Sequence, residues 1–135
     1  MIYVDTGAFI ARYVRQDTHH RGAKRAWGEI ERGRVRCFTS SFVLDETFTW
    51  LGRRASYPFA AQRARALLHS AALTILRPEA EDEEKAVDLF DKFADQQVSF
   101  TDCISFVLMR RNRLERAFTF DRHFKSAGFE VVPKG

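Results

Sequence analysis

Four acidic residues stand out because of where each one lies along the chain. Asp5 comes directly after the β-prone residues 2–4, and Asp121 follows a second such run. Asp102 lies at the start of an otherwise apolar helical segment, and Glu46 lies inside another, with no Lys or Arg within one helical turn. An unpaired buried carboxylate is costly, so something must neutralise these side chains. A divalent cation would do so, because hard cations such as Mg²⁺ take oxygen ligands.

Each acid also has a structural explanation when it is considered alone. Asp5 and Asp121 can cap the helices that follow them, and the segment from Ser99 to Asp102 fits a capping box. Glu46, in mid-helix, has only an ion pair with a distant Arg as its alternative. The joint pattern favours a metal site, because four unrelated structural acids would otherwise occupy the positions that one such site requires.

The chemistry expected of such a site is hydrolysis of a phosphodiester. A bound metal ion makes water a better nucleophile, and a second ion stabilises the leaving oxygen. We expect one or two ions of Mg²⁺ or Mn²⁺. Asp5 and Asp102 are the expected direct ligands. Glu46 would ligate through water or orient the attacking water, and Asp121 would complete the second position.

The elements that must position these acids alternate between strand and helix. In an open parallel sheet with helices on both faces, ligands bind outside the carboxyl ends of the strands. The hydrophobic pattern therefore predicts an α/β fold with three α/β/α layers around a mostly parallel sheet of about five strands. Strands are predicted over 2–4, 35–39, 73–76, 117–120 and 129–132. Helices are predicted over 6–15, 19–32, 41–54, 58–72 and 101–111, with one more opened by Pro78 and the acidic run 79–84.

Length and composition predict one ordinary globular domain covering 1–135. The chain has 135 residues, 45% of them hydrophobic, and only two cysteines, Cys37 and Cys103. Two distant cysteines disfavour a disulfide scaffold and a zinc ribbon. The sequence shows neither a signal peptide nor an apolar run long enough to span a bilayer, so we expect a cytoplasmic protein without a membrane partner.

The balance of charge is compatible with a polyanionic partner. The chain has 22 Lys and Arg against 18 Asp and Glu, and setting four acids aside as a site leaves 22 against 14, an excess of eight positive charges. Such a basic surface around an acidic pocket suits a polyanion bound over metal ions. The candidates for backbone contacts are two groups that are equally well explained as solvated helix ends: Arg32, Arg34 and Arg36, and Arg110, Arg111 and Arg113.

Other enzyme classes lack their motifs in this sequence. There is no G-x-x-x-x-G-K-[ST] phosphate loop and no G-x-S-x-G nucleophile elbow. A D-x-D phosphatase is disfavoured because Gly7 stands two residues after Asp5. The pair His19 and His20 lacks a third ligand at metal-binding spacing and is interpreted as surface.

The motifs, taken together, resemble those of PIN-domain ribonucleases over essentially the whole chain. The resemblance rests on residues 2–6, the mid-helix Glu46, the stretch 98–103 and the stretch 119–121. Within that family the chain is most similar to the short VapC-like toxins of toxin–antitoxin modules. Cys103 is a mild departure, since the family often has a smaller residue there.

The resemblance implies a function and a set of site residues. Asp5, Glu46, Asp102 and Asp121 match the family's acidic metal-binding and catalytic positions, and Thr6 and Thr119 match hydroxyls that support the site. It implies a Mg²⁺- or Mn²⁺-dependent endoribonuclease acting as a type II toxin, with an RNA substrate, a cognate antitoxin and a homodimeric state. The alternatives are an RNA-processing nuclease outside such a module and a non-catalytic RNA-binding or regulatory module. The RNA target and the residues that bind it are not predicted.

Overall fold

The computed structural model describes residues 1–134, which form a five-stranded sheet with helices on its faces. No helix within this range is long and apolar enough to cross a membrane. The elements in chain order are β1 (Ile2–Val4), α1 (Thr6–Tyr13), α2 (His20–Arg32), β2 (Cys37–Ser40), α3 (Ser41–Arg54), α4 (Tyr57–Leu68), β3 (Leu73–Leu76), α5 (Ala80–Lys92), a 3₁₀ turn (Ala94–Gln96), α6 (Phe100–Arg111), β4 (Arg116–Phe118), α7 (Arg122–Ser126) and β5 (Glu130–Val132).

The sheet is parallel throughout and has the strand order β3-β2-β1-β4-β5. Its central strand is β1, where Tyr3 pairs with Phe38 of β2 on one side and with Ala117 of β4 on the other. The chain moves outward from β1 to β3 and then returns across the sheet to β4. The direction of the strand order therefore reverses between β1 and β4, which is where ligands bind in open α/β sheets. The predicted fold class is confirmed.

The core lies on both sides of β1 and is rich in aromatic side chains. Phe106 and Phe118 are both at most 1% exposed. The ring centres of Trp27 and Phe118 lie 5.1 Å apart, and Trp27 donates its indole N–H to the backbone oxygen of Ala8 at 3.1 Å. This packing fixes β1 and β4 relative to the helices that follow them, and so fixes the strand ends that carry acids.

Several predicted boundaries differ from the structure by one to four residues. β2 begins at Cys37 rather than at residue 35, and α1, α4 and β4 are each shorter than predicted. α1 ends at Tyr13 because Val14 is extended. α4 ends at Leu68, since residues 69–72 form the turn that returns the chain to β3, and the Ser70 hydroxyl accepts the Ala72 N–H there at 3.2 Å. β4 stops at Phe118, and the chain turns immediately afterwards toward Asp121. These turns depend on tertiary placement, which the hydrophobic pattern does not encode.

A buried hydrogen bond joins the central strand to the helix that carries Asp102. The Tyr3 hydroxyl donates to Ser105 Oγ at 2.7 Å, and Ser105 donates in turn to the backbone oxygen of Thr101 at 3.0 Å. Tyr3 is fully buried, and burial raises the pKa of its hydroxyl.

Replacing Tyr3 with Phe removes this bond and keeps the ring. We expect the free energy of unfolding to fall by about 1 kcal/mol, the usual net contribution of one buried hydrogen bond. Urea denaturation measures the difference, with Tyr13→Phe as the control, because the Tyr13 hydroxyl makes no hydrogen bond within residues 1–134. A loss of the same size in both variants would contradict the assignment.

Candidate active site at the edge of the sheet

The four predicted acids meet at the carboxyl edge of the sheet, where the strand order reverses. Asp5, Glu46, Asp102 and Asp121 all line one cavity of about 700 Å³, together with Thr6. They come from four separate elements or strand ends, as the sequence pattern predicted. Thr119 lies just behind them and is buried.

Asp5 is at the N-cap position of α1, but its carboxylate makes no capping hydrogen bond. Instead its Oδ2 accepts a hydrogen bond from Thr119 Oγ1 at 2.8 Å, and the residue is only 5% exposed. Thr119 Oγ1 also accepts the backbone N–H of Asp121 at 3.0 Å. Thr119 therefore connects two of the acids, while capping does not explain Asp5.

Asp102 lies in the first turn of α6, whose N-cap is Ser99. The Ser99 hydroxyl accepts the Asp102 N–H at 3.1 Å, which is one half of the expected capping box. The other half, a bond from the Ser99 backbone N–H to the Asp102 carboxylate, is not found within residues 1–134. The Asp102 carboxylate is buried and faces the shared cavity rather than serving the helix end.

Asp121 does cap the short helix α7. Its Oδ1 accepts the backbone N–H of His123 at 2.8 Å, and its side chain is 35% exposed. The capping alternative and the cavity position therefore both apply to Asp121.

Glu46 was expected to be buried within an apolar helix, but it is only partly buried. α3 buries one face, through Val43, Leu44 and Thr47, and leaves the neighbouring Asp45 exposed. Amphipathic helices bury only a stripe, and Glu46 stands at its margin, where it reaches the mouth of the cavity. The cost of burial therefore does not by itself require a partner for Glu46.

Burial and mutual repulsion raise the pKa of two of the carboxyls. For Asp5, burial raises the pKa to about 6, against the hydrogen bond from Thr119, with Asp121 and Glu46 adding repulsion. For Asp102, burial together with the charge of Asp5 raises the pKa to about 9. Within the described chain, no Lys or Arg forms an ion pair with any of the four acids.

A histidine that the sequence analysis did not select also belongs to this site. His123 Nδ1 lies 2.9 Å from Asp121 Oδ1 and 3.9 Å from Asp102 Oδ2, and its side chain is 16% exposed. The angle between the His123 ring and the Asp121 carboxylate is not that of a hydrogen bond. Neither ring nitrogen of His123 therefore has a hydrogen-bond partner among the described residues. The sequence offered one signal for His123: it lies two residues after Asp121, in the first turn of the helix that Asp121 caps.

The residues present fit a divalent cation. Ligand atoms of Asp102, Asp121 and His123 lie within 4.8 Å of one another, and Asp5 faces the same cavity. Among residues 1–134 no Lys or Arg pairs with these buried acids, and both ring nitrogens of His123 lack a hydrogen-bond partner, so the site offers donor atoms that a cation would satisfy. Oxygen-rich donor sets of this kind suit Mg²⁺ and Mn²⁺.

The supporting hydroxyls have different outcomes. Thr119 holds Asp5, as described above. Thr6 Oγ1 is buried without a hydrogen-bond partner among the residues described, so its supporting role stays a prediction.

The two predicted basic groups lie away from the acids. Arg34 and Arg36 line a separate cavity of about 510 Å³ near the amino end of β2, at the opposite edge of the sheet. Arg110 donates to the Ala127 backbone oxygen at 2.6 Å, and Arg111 pairs with Asp82 at 2.9 Å. Among the Lys and Arg side chains of residues 1–134, Arg122 lines the acidic cavity itself.

The raised pKa of Asp102 predicts how the metal-free protein responds to pH. A carboxyl with a higher pKa in the folded than in the unfolded state contributes stability below its unfolded pKa of 3.8, and that stability is lost as the pH rises toward about 9. We expect the free energy of unfolding in EDTA to fall by a few kcal/mol, as an order of magnitude, between pH 5 and pH 8.

Asp102→Asn is expected to flatten this decline, because the amide has no proton to lose. Urea unfolding of both proteins at several pH values measures the two slopes. Equal slopes would show that Asp102 ionises as easily in the folded protein as in the unfolded chain.

Comparison with known proteins agrees with this architecture. The PIN domain family model matches residues 2–130. The 23S rRNA-specific endonuclease VapC20 of Mycobacterium tuberculosis is 36% identical over 135 residues, covering 99% of this chain and 100% of the relative. The crystal structure of that organism's VapC20, described as a sarcin–ricin loop cleaving toxin, has a TM-score of 0.86 at 33% identity over 96% of each chain.

More distant solved structures share the fold. A toxin–antitoxin complex from Klebsiella pneumoniae gives a TM-score of 0.66 at 18% identity, covering 98% of this chain and 96% of that chain. DNA-bound VapBC from Salmonella typhimurium gives 0.64 at 13% identity, covering 96% and 95%.

Proposed function

The chain belongs to the PIN domain family, and on that premise we propose that it is a metal-dependent endoribonuclease and the toxin of a toxin–antitoxin module. The observation that carries the proposal is the convergence of Asp5, Asp102 and Asp121 at the reversal point of a parallel sheet, where no Lys or Arg of residues 1–134 pairs with them. The 36% identity to a 23S rRNA-specific endonuclease over nearly the whole chain supports the same activity.

Asp5 and Asp102 are the proposed direct ligands of the metal, because they are the most buried of the four acids. Asp121 is the proposed third ligand, and its Oδ1 also caps α7 by accepting the His123 N–H. Glu46 stands at the more exposed mouth of the cavity, where it can accept a hydrogen bond from the attacking water and orient it. The metal is Mg²⁺ or Mn²⁺, in one or two ions.

A divalent ion bound here supplies Lewis-acid activation of water and neutralises charge on the phosphate. The protein's own contribution is to hold the acids in place before RNA arrives. Thr119 fixes the rotamer of Asp5, and the Ser99 cap fixes the start of α6 and therefore Asp102. A metal site works well when hydrogen bonds and helix caps such as these hold its ligands in a fixed position.

The proposed substrate is 23S ribosomal RNA, at the sarcin–ricin loop, by similarity to VapC20. The test is incubation of purified ribosomes and of total RNA with the protein and Mg²⁺ or Mn²⁺, followed by primer extension across 23S rRNA. A single cleavage in that loop supports the proposal. Discrete cleavage elsewhere would replace this target, and no cleavage of any RNA would favour a non-catalytic RNA-binding module.

A cognate antitoxin is the proposed protein partner, since related folds were solved as toxin–antitoxin complexes. A homodimer remains the expected oligomeric state. Co-expression with the product of a small neighbouring reading frame, followed by co-purification and loss of nuclease activity, tests the antitoxin. Light scattering of the free toxin tests the dimer.

Replacing Thr119 with Val removes the hydrogen bond to Asp5 and the acceptor for the Asp121 N–H. We expect metal affinity to fall roughly 10- to 100-fold, as is typical for the loss of a partner that orients a ligand. Calorimetric titration with Mn²⁺ measures it, with Thr74→Val, on the exposed side of β3, as the matched control. Unchanged affinity in Thr119→Val would remove this residue from the site.

A further inference from the structure

Beyond the acids, the groove continues along a wall of three aromatic side chains. His19, Trp50 and Phe120 line both the acidic cavity and an adjoining cavity of about 450 Å³. The rings of His19 and Phe120 are stacked, with centroids 4.3 Å apart and planes inclined by 7°. None of the three holds an acid in place, so the metal site does not account for them.

This wall is accessible to a planar ligand. Trp50 is 46% exposed, His19 is exposed and Phe120 is partly buried. Phe120 stacks on one face of the His19 ring, while His19 as a residue is exposed. Adjacent exposed aromatic side chains beside a charged cavity form a surface patch, and such patches commonly mark binding sites.

The position of His19 is fixed by an ion pair between two elements. Asp17 accepts the His19 backbone N–H through Oδ1 at 2.8 Å and pairs with Arg54 of α3 through Oδ2 at 2.7 Å. Partial burial opposes ionisation of Asp17, but these two bonds outweigh it and lower its pKa. The loop before α2 is thereby tied to α3, so the wall is formed before any ligand binds, which reduces the cost of binding.

Positive charge lies beside the aromatic wall. The guanidinium of Arg53 lies 5.7 Å from the centre of the Trp50 ring, and Arg122 lines the acidic cavity. Aromatic faces that stack bases, combined with cations that contact phosphates, are the features with which proteins hold single-stranded nucleic acid.

Resting on the proposed nuclease activity, we propose that His19, Trp50 and Phe120 form a nucleobase subsite, which holds an unpaired RNA base next to the phosphate that is cut. The base stacks on His19, and Trp50 bounds it. Stacking tolerates every base, so this subsite selects for unpaired nucleotides rather than for one sequence.

The test separates base binding from cleavage. The Asp102→Asn protein in EDTA binds RNA without cutting it, and two probes are compared: a single-stranded adenylate hexamer and a hexamer of the same backbone with every base removed. In this background, His19→Ala and Phe120→Ala are each expected to weaken binding of the adenylate hexamer roughly tenfold. Binding of the abasic hexamer stays unchanged. His19→Phe retains a ring and restores affinity.

A control variant and a second readout make the result specific. Phe90→Ala removes a 48% exposed aromatic outside this groove and leaves binding of both probes unchanged. Trp50 fluorescence is expected to be quenched by the adenylate hexamer, and Trp50→Phe is expected to abolish the change, because the other tryptophan, Trp27, is buried.

Equal affinity of all variants for both probes would overturn the subsite. Cleavage of 23S rRNA and of total RNA by the unmodified protein is measured in parallel. Cleavage with no effect of the aromatic variants on binding overturns the subsite and leaves the nuclease assignment standing. Base-dependent binding without cleavage of any RNA supports the subsite and overturns the nuclease assignment.

Discussion

Asp102→Asn is expected to lower the rate of RNA cleavage by roughly 10²–10³-fold or more while the protein stays folded. Asn keeps the size of the side chain and the Ser99 cap, which uses the backbone N–H of residue 102. It removes the charge that would hold a cation in a buried cavity shared with Asp5. The loss therefore falls on the chemistry and not on the fold.

The matched control is Asp45→Asn, which changes an exposed acid on α3 next to Glu46 and outside the cavity. Its cleavage rate is expected to equal that of the unmodified protein. Rates come from single-turnover cleavage of an RNA that the unmodified protein cuts, and circular dichroism verifies folding. Wild-type rates in both Asp102→Asn and Asp5→Asn would refute the assignment of the site.

The second large effect is a steep dependence of metal affinity on pH. Metal ions bind ionised carboxylates, so a proton held by Asp102 with a pKa of about 9 competes with the metal throughout the neutral range. Affinity for Mn²⁺ is expected to rise roughly tenfold per pH unit as this proton becomes easier to remove, or about a hundredfold from pH 6 to pH 8. Metal affinity therefore rises with pH, whereas the free energy of unfolding of the metal-free protein falls over the same pH range.

Calorimetric titrations in buffers of different ionisation enthalpy measure both the affinity and the number of protons released. We expect close to one proton to be released per ion near pH 7, because Asp102 is protonated there and Asp5, with a pKa of about 6, is mostly ionised. Asp102→Asn should bind more weakly and release fewer protons. An affinity that is flat with pH would mean that Asp102 does not ligate the metal.

Much of this site was predictable because strand ends are easy to recognise. Asp5 and Asp121 follow short β-prone runs, and parallel strands bring their carboxyl ends to one edge. Asp102 was predictable from its polar position in an apolar helix. These three predictions depend on local patterns, which survive folding with little change.

The errors arose where tertiary packing decides the outcome. Glu46 was expected in a buried setting because α3 is apolar around much of its girth, but only one face of that helix is covered. His123 was missed because its approach to Asp102 depends on how α7 packs beside α6. The aromatic pair His19 and Phe120 joins residues 101 positions apart, and no local pattern reports such a contact.

The most direct measurement is the metal dependence of cleavage together with the chemistry of the new RNA ends. Protein dialysed against EDTA is mixed with RNA, and Mg²⁺ or Mn²⁺ is added back. Hydrolysis by activated water with departure of the 3′-oxygen leaves a 5′-phosphate and a 3′-hydroxyl. A metal-dependent hydrolysis predicts fragments with these ends only after metal is restored. Cleavage that persists in EDTA, or that leaves 5′-hydroxyl and cyclic phosphate ends, would contradict it.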